Sequence, residues 1–128
     1  MLRVTPNFER FCAAAAHGTL VPVHAERLAD LLTPVAAALR LHGAMRRPFL
    51  LESAEGGENI GRYSYLGGDP FLEVTGDADG LVIRHRSGRV ERLAGDPVRG
   101  LAELQAGYRA VHDPAAPPFS GGGVGYLS

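Results

Sequence analysis

The sequence predicts an α/β (α+β) domain in which one antiparallel sheet is flanked by helices, and three observations carry that expectation. Three helix starts share one chemistry: Thr5-Pro6, Thr33-Pro34 and Asp96-Pro97 each set a capping side chain before a proline whose missing N–H would have lacked a partner anyway. Between the second and third starts the apolar residues fall into short extended runs separated by turn residues. The length of 128 residues and a hydrophobic content of 45% supply enough apolar side chains for one core and argue against disorder.

The first helix is expected over residues 6–16, with Gly18 just past its end. A turn of helix over 25–30 precedes the second, which spans 34–42 and stops at Gly43 in a left-handed conformation. Phe49, Leu50 and Leu51 then form a strand apolar on both faces, and 60–66 a second strand. Residues 71–75, 81–86 and 89–93 read as a meander, turning at Asp77-Ala-Asp-Gly and at Ser87-Gly88. In the third helix Val98, Leu101, Leu104, Tyr108 and Val111 make a stripe at helical spacing, weakened slightly by Gly100 and Gly107. A stiff loop, 112–118, leads to the glycine-rich 119–128, which reads as a strand entering a crowded site. Its alternating Val124, Tyr126 and Leu127 suggest part of a longer protein, with domain 1–128 incomplete at its C-terminus.

Charge and cysteine usage narrow the function. A net charge of -1 provides no cationic field for nucleic acid or an anionic membrane. All 13 basic residues are Arg, which removes Schiff-base chemistry and the phosphate-loop lysine. The single Cys12 forms no internal disulfide and reads as a small core residue in a reducing compartment. Glu9 and Arg10 interrupt any signal peptide and no stretch is long enough to span a membrane, so a cytoplasmic location is expected.

The densest polar group lies where the first buried strand ends. Glu52 there can accept from a ligand ammonium and Ser53 can offer a hydroxyl or backbone N–H, a pair suited to an amino acid. The same two residues would equally well terminate a strand and satisfy the following turn. Arg62, Tyr63 and Ser64 can face the same space from the next strand, whereas Arg46 and Arg47 read as solvated and without a role. The five histidines show no metal-ligand spacing, Asp77 and Asp79 fit a hairpin turn better than a calcium loop, and Gly121-Gly-Gly-Val-Gly is a poor dinucleotide loop. No nucleophile and base are suitably spaced, so no catalytic set is assigned to this chain.

Taken together, the motifs resemble the N-terminal region of anthranilate synthase component I, the large subunit of a chorismate-utilising enzyme family. Phe49-Leu-Leu-Glu-Ser followed by Gly61-Arg-Tyr-Ser-Tyr-Leu-Gly is the most specific match. It is supported by Gly18-Thr-Leu-Val-Pro-Val, Leu28-Ala-Asp-Leu-Leu-Thr-Pro-Val, Asp69-Pro-Phe and Pro117-Pro-Phe-Ser-Gly-Gly-Gly-Val-Gly-Tyr-Leu. His24-Ala25, Ser120 and Gly123 depart from the family's usual residues.

The resemblance implies an α/β sandwich portion of a lyase of tryptophan biosynthesis. The complete enzyme converts chorismate to anthranilate and pyruvate with Mg2+, using ammonia from a glutamine amidotransferase subunit, component II. It also implies allosteric feedback inhibition by L-tryptophan, with Leu51, Glu52 and Ser53 lining the inhibitor pocket and Tyr63 and Ser64 bordering it. The family's chorismate and Mg2+ ligands, and some of its tryptophan contacts, lie in the larger C-terminal part, so this portion is expected to be inactive alone and to bind no metal or cofactor. Aminodeoxychorismate synthase component I resembles the same region. A stand-alone amino-acid-binding module and a truncated product without function are the alternatives from other classes.

Overall fold

The computed structural model describes residues 3–52 and 63–128. In chain order the elements are β1 (Val4–Thr5), α1 (Phe8–Ala15), β2 (His24–Ala25), α2 (Pro34–His42), β3 (Phe49–Glu52), β4 (Ser64–Gly67), β5 (Leu72–Asp77), β6 (Gly80–His85), β7 (Val90–Ala94) and α3 (Pro97–Ala106). The class is α+β, with antiparallel pairing between the strands and no closed barrel among the described residues. The expected single sheet is instead three ladders: β1-β2, β3-β4 and β5-β6-β7. Between the last two, Asp69 turns the backbone at φ 51 and Pro70 has no N–H to give, so the β4 ladder is not carried into β5. No helix among the described residues is long and apolar enough to cross a membrane.

The chain divides into two compact units, Met1–Leu28 with Leu101–Ser128, and Ala29–Gly100. In the first, α1 begins later than the Thr5-Pro6 pair suggests. Thr5 is held in β1 opposite His24, and Asn7 becomes the cap, its carboxamide oxygen accepting from the Arg10 N–H at 3.0 Å. Cys12 is exposed on α1 rather than in a core. Residues 24–25 are extended in β2, which replaces the expected helical turn. The segment after Gly18 is tied to the chain beyond α3 by a parallel bridge between Leu20 and Ala110, with Thr19 N–H donating to the Arg109 carbonyl at 2.8 Å. The glycine-rich end forms no strand: Gly121 and Gly122 take φ of 158° and 130°, and Tyr126 and Leu127 are exposed.

In the second unit α2 follows its sequence signals. Thr33 Oγ1 accepts from the Ala36 N–H at 3.2 Å and Pro34 opens the first turn, though Gly43 ends the helix at φ -82° rather than in the left-handed region. α2 packs on β3 and β4. The β5–β7 meander holds the buried hydrophobic residues, Leu81 and Ile83 on β6, at 5% and 2% exposure. Strand alternation places Leu72, Val74 and Leu93 on the same face. The start of α3 covers it, with Asp96 Oδ1 accepting from the Val98 N–H at 2.8 Å. Here Gly100 permits close approach, since a Cβ on it would lie 2.8 Å from Leu81 Cδ1. α3 ends at Ala106, which leaves Tyr108 and Val111 outside the expected helical stripe.

Candidate functional site

Two short strands build the site. β3 and β4 pair Phe49 with Gly67, Leu50 with Leu66, Leu51 with Tyr65 and Glu52 with Ser64. Gly67 leaves room for the Phe49 ring, since a Cβ there would stand 2.6 Å from it and the ring would have to move. Directly opposed residues of an antiparallel pair point to the same face, and successive residues to opposite faces. Glu52 and Ser64 therefore share one face with Leu50 and Leu66, while Leu51 shares the other with Tyr65 and Phe49.

Tyr63 belongs with the second group. Its ring stacks on that of Tyr65, with centroids 6.1 Å apart and planes at 23°. Leu51 and Tyr63 are each 44% exposed, which leaves an accessible apolar and aromatic patch beside the strand end. Of the five residues the sequence singles out, the ladder thus brings Glu52 against Ser64, and places Leu51 and Tyr63 on the reverse face of the same strand end. Ser53 and Arg62 lie outside the described residues.

What the hairpin offers chemically is a carboxylate and a hydroxyl on one face and an apolar surface on the other, at the Glu52–Ser64 end of the ladder. A zwitterionic ligand with a large apolar side chain has those needs. Among the described residues no three His, Cys, Asp or Glu side chains converge to hold a metal ion.

Two clusters escape the sequence reading. Arg46 and Arg47, taken as solvated, both reach Glu73 on β5, at 3.2 and 3.1 Å. His85 pairs with Glu91, which also takes Arg89 Nη2 at 2.6 Å. Arg46 and Arg47 precede β3 while Glu73 is on β5, and His85 and Glu91 meet only once β6 pairs with β7, so spacing shows neither cluster. In the first unit His24 Nδ1 is 3.6 Å from Asp113 Oδ2.

No family model matches the chain, and no solved structure does. Curated relatives do. An anthranilate synthase component 1 from Synechocystis sp. is 42% identical over 121 residues, covering 93% of this chain and 23% of its own length. Those of Pseudomonas aeruginosa and Acetivibrio thermocellus are 39% and 35% identical over 94% and 95% of this chain, and 25% and 24% of their own lengths. The chain spans about a quarter of the relatives it matches. Over nearly all of its own length, it belongs to the anthranilate synthase component 1 family.

Proposed function

We propose that this chain is the N-terminal, regulatory portion of an anthranilate synthase component I, acting in tryptophan biosynthesis and carrying part of the L-tryptophan feedback site. The observation that carries the reading is a match across 93% of the chain to a protein about four times as long, of which the match covers 23%. Chorismate and Mg2+ would then bind in the remainder of the enzyme, and component II would deliver ammonia to it. Exposed large apolar side chains, among them Phe8 at 81% and Leu31 at 100%, agree with a portion that is covered in a larger assembly.

In this reading the Glu52–Ser64 end of the β3–β4 ladder takes the inhibitor. Glu52 accepts from the ammonium group, Ser53 and Ser64 add polar contacts, and Leu51 and Tyr63 give apolar surface to the indole. Inhibition is then a coupling in which tryptophan favours an enzyme state that binds chorismate less well. The test is to supply the purified chain with chorismate, Mg2+ and ammonia and follow anthranilate fluorescence. Silence is expected, and steady anthranilate formation would refute the assignment of catalysis to the remainder.

A further inference from the structure

The backbone before β3 and the backbone after β4 are tied to each other and to β5. The Arg46 N–H donates to Asp69 Oδ1 at 2.9 Å, and the Asp69 N–H donates back to the Arg46 carbonyl at 2.7 Å. Glu73 then receives both arginines, Arg46 Nη2 on Oε1 at 3.2 Å and Arg47 Nε on Oε2 at 3.1 Å. Arg47 and Asp69 both take positive φ, 49° and 51°, a region that non-glycine residues keep only where their surroundings over-determine it. Gly68 closes the turn, since a Cβ there would stand 3.0 Å from Met45 Cβ and 3.1 Å from the Arg46 carbonyl oxygen.

This clamp sits at the base of the hairpin, beside the Phe49–Gly67 pair, and the Glu52–Ser64 pair is at the other end of the same four-pair ladder. A ladder this short has few bonds to hold its register, and a slip by one residue would carry every side chain to the opposite face. We propose that Asp69 and Glu73 are positioning residues for the ligand site: by holding Arg46 and Arg47 they fix the register and direction of β3 and β4, and so keep Glu52 opposite Ser64. The identity of the ligand rests on the tryptophan reading, whereas the clamp itself does not.

The test compares the wild-type chain with Asp69→Asn and Glu73→Gln, near-isosteric changes, and with Glu91→Gln, which removes an ion pair elsewhere in the same unit. Amide hydrogen exchange and L-tryptophan titration are measured on each. In the two clamp variants the β3–β4 amides should lose protection while those of β5–β7 keep it, and tryptophan affinity should fall about three- to tenfold. Glu91→Gln should do neither. Protection lost equally from all strands, or unchanged protection in β3–β4, or unchanged tryptophan affinity in a loosened hairpin, would each overturn the proposal. A wild-type chain that takes up no tryptophan would refute the ligand reading, and the exchange pattern would then decide the clamp alone.

Discussion

Glu52 lies directly opposite Ser64 on one face of the β3–β4 ladder, and the residue beside it, Leu51, pairs with Tyr65 on the other. Polar and apolar contributions to the site therefore come from opposite faces of one strand end. A ligand using both must reach both faces of that strand end, so substitutions on either face are expected to weaken its binding.

In the proposed regulatory reading, Glu52→Gln removes the charge that would face the ligand ammonium and keeps the shape. Charge-assisted hydrogen bonds contribute about 1.5 to 3 kcal/mol, so L-tryptophan affinity should fall roughly tenfold or more. Leu51→Ala should weaken binding by about 1 kcal/mol through lost apolar contact. Glu52 is exposed, so thermal melting of Glu52→Gln should match wild type. Titration beside a melt separates the two effects.

Gly100→Ala reverses an ordinary rule. Alanine is favoured over glycine inside a helix by about 1 kcal/mol, but here its Cβ would press on Leu81, itself buried against the meander. Overpacking of about 1 to 3 kcal/mol should win, and urea unfolding should show a less stable variant.

Two turn glycines should respond unequally to alanine. Gly80 has φ 139° and its Cβ would lie 2.0 Å from the Leu93 carbonyl oxygen, so the β6–β7 pairing must shift to admit it. Gly88 has φ 91° with open space around it, so only the backbone strain of roughly 1 to 3 kcal/mol applies. Gly80→Ala should be clearly the more destabilised in denaturant titration.

Asn7→Ala should destabilise α1 by about 1 kcal/mol, read as lost protection of the Arg10 amide in hydrogen exchange. The same loss on Thr5→Ala, with Asn7→Ala silent, would contradict the cap seen here.

Local chemistry was legible in the sequence and pairing between distant segments was not. The caps at Thr33 and Asp96 act as their residue types imply, and the meander turns fall where Gly80 and Gly88 sit. Thr5-Pro6 carries the same local signal, yet strand pairing with His24 claims Thr5 and moves the cap to Asn7. Gly100 reads as a helix defect until Leu81, remote in sequence, is placed beneath it. The motif around Glu52 marked the strand end, but its division between two faces depends on the register with β4. Arg46 and Arg47 do lie in solvent, 57% and 75% exposed, but their shared partner Glu73 lies beyond the whole hairpin and could not be read from spacing.

The most direct test of the central claim is an L-tryptophan titration followed by fluorescence anisotropy. The chain contains no Trp, so the signal belongs to the ligand. A saturable rise with the wild-type chain, weakened at least tenfold in Glu52→Gln, is the result the regulatory reading expects. No rise into the millimolar range, or one indifferent to Glu52→Gln and Leu51→Ala, would contradict it.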